Sequence, residues 1–380
     1  MSSSTKAEPQ EVEKEGAWRS LEAGAFRRAL LEWFDAHQRQ LPWRGIDDPY
    51  AVWVSEVMLQ QTRVATVIDY FERWMKRFAN VENLAEAPVE EVLELWSGLG
   101  YYRRARHLHQ AAKKVVSEYG GQLPRRASEL KKLPGVGPYT AGAVASIAFG
   151  EVEPVVDGNV MRVATRLEAI EGDPRKGEVK RRIWELAARW VDPQRPGDFN
   201  QAMMELGSQV CTVRAPRCGS CAVRQWCRAK KEGDPERYPS GTAKKSPQPM
   251  RGRCCVVYCQ DEEGSRSFLL RRRREDGLLG GLWGFPGCEK IGQRWPTVDE
   301  LAQQLQEPLG ETSPEDMERS MGTVTHIFSH RRLKMRVHQL RVRSRQSPPG
   351  ERWRWVGAKE LDQVASSALL GKIHQHWQDS

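Results

Sequence analysis

No run of about 18 apolar residues occurs in this 380-residue chain, so nothing in it has the length of a membrane-spanning helix. Cysteine is missing from the first 210 positions, and four of the eight cysteines then crowd between Cys211 and Cys227. A disulfide framework would spread its cysteines, whereas this clustering reads as a metal site in a reducing compartment. The opening MSSSTKAEPQEVEKEG has neither the apolar core of a secretory leader nor the basic character of a mitochondrial one, being polar and partly acidic. A soluble intracellular protein is expected. There is no internal repeat and no long low-complexity tract. Acidic residues are in short supply, Asp+Glu 50 against Lys+Arg 59, and the net charge of +9 suits a polyanionic partner without demanding one.

What is present divides the chain in two. Residues 1–24 read as a flexible tail. Residues 25–229 are helical almost throughout, from FRRALLEWFDAH through the run YAVWVSEVMLQQTRVATVIDYFERWMKRF to VKRRIWELAARWV, with apolar residues at three and four spacing. Residues 230–252 carry Pro, Gly, Ser and Lys without periodicity and read as a linker. Over 253–380 the texture turns β-prone in CCVVYCQ, SFLLRRRR, TVTHIFSH, LKMRVHQLRV and RWRWV, with helices expected at VDELAQQLQ and SALLGKIHQHW. The fold class is therefore multidomain: an all-α domain followed by a smaller α+β domain.

The chemistry gathers around LPGVGPYTAG. Two glycines flanked by prolines impose a tight turn between two helices, and the N–H groups of Gly135, Val136 and Gly137 at a helix start can cradle a phosphate without reading a base. An ordinary helix-turn-helix is the competing account. Asp157, in VVDGNV, precedes the next apolar helix and is either a plain N-cap or a functional carboxylate. Glu56, in VWVSEVML, has apolar neighbours on nearly every side. Its carboxyl either takes the one wet face or is buried and raised in pKa. A protonated Glu and an ionised Asp in one cleft would supply what N-glycosidic cleavage needs, a proton for the departing base and negative charge beside a cationic sugar. Cys211, Cys218, Cys221 and Cys227, in CTVRAPRCGSCAVRQWC, suit a cubane iron–sulfur cluster or a tetrahedral zinc, and spacing does not choose between them.

LPGVGPYTAG with VVDGNV, the four-cysteine loop, LPWR, SEVMLQQT, GLGYYRRA and FNQAMMELG together resemble the helix-hairpin-helix base-excision glycosylases, specifically the MutY adenine DNA glycosylases, over nearly the whole chain from Phe26. The resemblance implies an enzyme bearing a [4Fe-4S] cluster that removes adenine mispaired with 8-oxoguanine or guanine in double-stranded DNA, acting as a monomer; it also allows a cation at the hairpin. It puts Glu56 in the role of acid at adenine N7 and Asp157 beside the sugar cation, with Tyr139 and Asn159 assisting. Arg44, Leu59 and Gln201 would line the adenine pocket, and Gln61 and Tyr101 would wedge into the stack beside a flipped base. Relatives that also nick the strand carry a Lys where Tyr139 stands, and a phenol forms no imine, so a monofunctional enzyme is expected. The second domain resembles the Nudix-like domain that reads 8-oxoguanine, with Phe328, Ser329 and His330 in its FSH loop. Gln303 and Gln304 replace the expected carboxylate pair, so no magnesium-dependent hydrolysis is expected. Cys254, Cys255, Cys259 and Cys288 read as buried thiols. With no cysteines in the linker and no clamp-binding tail in view, a bacterial cytoplasm or nucleoid is the expected setting, or the nucleus if the source is eukaryotic.

Overall fold

Apolar residues at helical spacing, cut by glycine and polar caps, make helices of most of the chain as far as Lys231. The computed structural model describes residues 20–241, 246–275, 277–310, 314–317, 320–345 and 349–380. Its first helices are α1 (Ser20–His37), α2 (Pro49–Leu59), α3 (Val64–Arg77), α4 (Val81–Glu86), α5 (Val89–Leu95) and α6 (Arg103–Tyr119). There follow α7 (Ala127–Leu130), α8 (Pro138–Phe149), α9 (Gly158–Leu167), α10 (Gly177–Trp190), α11 (Pro196–Gln209) and α12 (Arg228–Lys231). Gly120 and Gly150, both left-handed, close α6 and α8. The run that looks continuous from Tyr50 to Phe78 is broken: Gln61 takes φ 57°, which no right-handed helix admits, and α2 and α3 part there. Residues 1–19 of the expected tail lie outside the described residues, and α1 already begins at Ser20.

The chain forms two compact units, Met1–Glu56 with Gln122–Thr242, and Val57–Gly121 with Ala243–Ser380, so far as these residues are described. The first is built on Phe26, Leu30 and Phe34 of α1 against Leu167, Trp190 and Phe199, all buried. The Phe26 ring meets those of Trp190 and Phe199 with centroids 5.8 and 6.2 Å apart. Small residues let α8 sit unusually close to its neighbours. A Cβ on Gly142 would stand 2.3 Å from the Pro154 carbonyl oxygen, and one on Gly197 2.7 Å from that of Ser146. This close approach fixes the segment that ends at Asp157 against the helix that carries Tyr139.

In the second unit the sheet comprises β1 (Gln248–Gln260), β2 (Arg266–Arg272), β3 (Trp283–Gly284), β4 (Gly287–Ile291), β5 (Gly322–Ile327), β6 (Arg331–Val342) and β7 (Trp353–Gly357). Its order is β3-β2-β1-β6-β5, with β4 also on β1 and β7 on β2. β1 and β6 run parallel; the other pairings are antiparallel. Because side chains alternate, Met250, Cys254 and Val256 point with Leu333 and Met335 into a core closed by Leu370 and Ile373 of α14 (Ala368–Gln378). Cys255 and Val257 face the other way, onto Leu301 and Leu305 of α13 (Val298–Leu309), whose start is fixed by a Thr297–Glu300 capping box. Three of the four remaining cysteines are buried as expected, but Cys288 is only partly so, because β4 is an edge strand. Of the expected linker, residues 242–245 lie outside the described residues, and β1 takes over at Gln248. Helices α5 and α6 pack on this sheet: Tyr102 donates to the Ser366 carbonyl at 2.6 Å, and Arg272 pairs with Glu90 at 2.7 Å.

Gly142→Ala should cost about 1–3 kcal/mol, since the added methyl meets backbone that cannot yield. Gly158→Ala, with open space around it, should cost well under half of that in the same denaturant titration.

Candidate active site

Glu56 is placed by α2, whose apolar faces leave its carboxyl 5% exposed. Burial is the main reason its pKa rises to about 7; the nearby Asp157 adds to the rise, while the Tyr139 hydrogen bond and the Arg44 charge oppose it. The Tyr139 hydroxyl donates to Glu56 Oε2 at 2.5 Å and also approaches Met204 Sδ at 3.6 Å. Tyr139 stands on the first turn of α8, just after the Gly135–Val136–Gly137 turn, where Gly135 takes φ 76° and Gly137 caps the helix. The Val136 N–H already donates to the Leu133 carbonyl at 3.2 Å, so a phosphate at this turn would rely on its neighbours.

Asp157 is the N-cap of α9. Its carboxylate accepts from the Val160 N–H at 2.7 Å and from Asn159 Nδ2 at 2.7 Å. Burial pushes its pKa up, while those two donors and the Arg162 charge pull it down. Each has a guanidinium nearby, but Glu56 accepts from one side-chain donor and Asp157 from two N–H groups, which favours the proton on Glu56 and the charge on Asp157. Asn159 is held in turn by Arg162 Nη2 at 2.9 Å, and Arg162 also donates to the Gly207 and Cys211 carbonyls.

Arg44 Nε reaches Gln201 Oε1 at 3.3 Å, which joins two of the residues assigned to the adenine pocket. The third, Leu59, ends α2 three residues after Glu56. Behind Arg44 stands Glu205, a residue the sequence reading passed over. Its buried carboxylate accepts from Arg44 Nη1 at 2.8 Å, Arg39 Nε at 2.9 Å, the Arg39 N–H at 2.9 Å and Gln209 Nε2 at 2.5 Å. The available signal was its place in FNQAMMELG, one helical turn after Gln201.

In the second unit, Gln61 and Tyr101 both adopt left-handed φ, 57° and 49°, a strained choice for residues with side chains. One arginine ties both turns together. Arg104 Nη1 donates to the carbonyls of Val57, Met58 and Gln60 at 2.6–2.9 Å, and Nη2 to Thr62 Oγ1 and to the Leu99 and Gly100 carbonyls at 3.1–3.3 Å. Burial lowers its pKa to about 10, which leaves it charged at neutral pH. Arg104 too was missed, although it stands within GLGYYRRA. The exposed tip joining β5 to β6 carries Phe328, Ser329 and His330, and the Ser329 hydroxyl hydrogen-bonds that of Tyr101.

Cys211, Cys218, Cys221 and Cys227 line one cavity together with Arg166 and Val210. Arg166, 2% exposed, donates to Cys211 Sγ at 3.3 Å and to the Thr212 carbonyl at 2.6 Å. Among the described residues no three His, Cys, Asp or Glu side chains converge as they would on a single bound ion, and no helix is long and apolar enough to cross a membrane.

Residues 54–189 match the HhH-GPD superfamily of base excision DNA repair proteins, and residues 254–376 match the NUDIX domain. The adenine DNA glycosylase of Mus musculus is 41% identical, over 93% of this chain and 78% of its own length. That of Homo sapiens is 40% identical, over 94% and 74%. The chain belongs to the adenine DNA glycosylase family. A solved thermostable thymine-DNA glycosylase superposes on 55% of this family member and 97% of its own chain, with TM-score 0.51 and 29% identity.

For this adenine DNA glycosylase relative, burial of Glu56 has a measurable cost. The unfolded carboxyl ionises near 4.5 and the folded one near 7, so between those values the folded state holds a proton the unfolded state has released, and stability falls as pH rises. The fall amounts to about 3 kcal/mol over that window. Glu56→Gln should lose this slope, so denaturant titrations of the two proteins at pH 5 and pH 7.5 should converge at the acid end and diverge at the neutral end, with the variant the more stable.

Proposed function

We propose that this chain is a monofunctional DNA glycosylase that flips adenine out of a pair with 8-oxoguanine or guanine and hydrolyses its N-glycosidic bond. The observation that carries the reading is the pair of carboxyl groups, buried Glu56 with its pKa raised to about 7 and half-buried Asp157 held by N–H donors, beside Tyr139. Glu56 gives its proton to N7 of adenine, and the base leaves as a neutral molecule. The sugar becomes an oxocarbenium cation, which the Asp157 carboxylate stabilises while water adds at C1′ and passes its proton to the Glu56 carboxylate, which restores the acid. Asn159 and Arg162 keep the Asp157 carboxylate turned toward the site. Arg44, oriented by Glu205, lines the adenine pocket with Gln201. Tyr139 carries no amine, so the strand is left intact at an abasic site.

In the second unit, Gln61 and Tyr101 fill the gap the flipped base leaves, and Arg104 holds both turns in their strained form. Ser329, hydrogen-bonded to Tyr101, offers its hydroxyl to 8-oxoguanine, flanked by Phe328 and His330. The four cysteines around one cavity, with a buried arginine donating to a sulfur, fit a [4Fe-4S] cluster. When bound, the cluster would fix a loop whose Arg214, Arg217 and Arg224 present charge to phosphates.

A single-turnover assay on a duplex holding one 8-oxoguanine:adenine pair should give strand breaks only after alkali. Asp157→Asn should lower the rate by at least 100-fold with binding retained; breaks without alkali would overturn the monofunctional reading. The wild-type rate should fall as pH rises through about 7, the point at which Glu56 loses its proton. A rate unchanged from pH 6 to 8.5 would remove Glu56 as the donor.

A further inference from the structure

One half of one sheet face is basic and not assigned to any task above, its one paired carboxylate being Glu300 at Lys290. The stretches Gln248–Arg253, Gly322–Ile327 and Arg331–Arg336 hold six Lys and Arg and no Asp or Glu. Register puts most of this charge on a single side. Arg251 stands beside Lys334 and Arg253 beside Arg336 across the parallel β1–β6 ladder, and Thr325 and Thr323 stand opposite Lys334 and Arg336 on β5. Alternation adds Arg332 to the same face. Farther along this face Cys255, Val257 and Leu340 are covered by α13, whose Glu300 pairs with Lys290 at the edge of the cationic half.

The charges on that half are crowded. Arg336 lies over the Trp295 ring at 4.1 Å and Arg251 over it at 5.5 Å, so one indole supports two guanidinium groups. Arg253, which donates to the Pro296 carbonyl at 2.6 Å, has its pKa lowered first by burial and then by the charge of Arg336. On the neighbouring β4, Lys290 is paired with Glu300. Arg332 and Lys334 have no ion-pair partner among the described residues, and Arg332 is exposed. Like charges held together without counter-ions raise the energy of the free protein, and a polyanion lowers it again.

We propose that this face binds the sugar–phosphate backbone of duplex DNA beside the lesion. The inference rests on the reading of the Phe328–His330 tip as the part that meets 8-oxoguanine. That tip runs directly into β6, so a strand engaged at Ser329 continues past Arg332, Lys334 and Arg336, whose side chains recur about every 6.7 Å along the strand. Guanidinium, ammonium and threonine hydroxyl groups contact phosphate oxygens and carry no sequence information. The face therefore supplies grip common to damaged and undamaged duplexes.

The test is the salt dependence of binding by the full chain, on a duplex with 8-oxoguanine opposite an uncleavable adenine analogue and on the same duplex undamaged. With Arg332, Lys334 and Arg336 all changed to Gln, the slope of log affinity against log salt should fall by about 2.7, and both duplexes should weaken by the same factor. Arg332→Gln alone, which alters one exposed side chain, should lower the slope by about 0.9. Arg341→Gln/Arg343→Gln, on the same domain but off this face, should leave it unchanged. Slopes equal to wild type in both β6 variants, with the thermal midpoint retained, would overturn the proposal. If wild type fails to prefer the damaged duplex, the 8-oxoguanine reading falls instead, whatever the slopes show.

Discussion

Two carboxyl groups in one site, Glu56 buried and Asp157 partly so, set the terms for everything around them. Burial raises the cost of charge on each, so each has to be neutralised or solvated largely by the protein. The molecule treats them differently. Glu56 sits among apolar side chains with a single phenol as donor, whereas Asp157 caps a helix and collects two N–H donors and a nearby guanidinium. That asymmetry separates an acid from an anion. It also explains why α8 is so poor in large side chains: only glycine at 142 lets the segment before Asp157 come near enough to share a site with Tyr139.

Two buried arginine systems do the corresponding work elsewhere. Glu205 takes four donors and thereby fixes Arg39 and Arg44, while Arg104 satisfies six acceptors from two separate turns. The guanidinium fork suits the second task because its donors lie in a plane and point to both sides. A lysine placed there would reach one turn and abandon the other. Left-handed φ at Gln61 and Tyr101 costs of order 1–3 kcal/mol each, and a rigid tie of this kind keeps both in place when no duplex is bound.

Much of this was legible in the sequence, for reasons that differ by residue. The hairpin glycines and the cysteine spacing announce themselves because backbone conformation and metal ligation restrict residue choice severely. The α+β character of the second half followed from alternation in LKMRVHQLRV, which appears as β6. The break between α2 and α3 was hidden, because apolar periodicity runs through it and Gln61 is not a residue that signals a turn. Glu205 and Arg104 were hidden for a related reason. Each looks like a solvated helical charge until the tertiary structure removes the water, and burial by distant parts of the chain leaves no local pattern.

The basic half-face belongs to the same class. Read along the chain, RRLKMR is an ordinary alternating strand with a charged outer side. Only the ladder shows that its neighbours β1 and β5 add cations and hydroxyls but no carboxylate to that side, and that α13 reaches it through Glu300, which pairs with Lys290 at the edge. A solvated sheet face normally mixes signs, because opposite charges directly across a ladder are favourable and like charges are not. β1 and β6 forgo that gain at Arg251–Lys334 and again at Arg253–Arg336. The Trp295 ring and the Pro296 carbonyl offset part of that loss, and a phosphate backbone laid across the pairings offsets the charge itself.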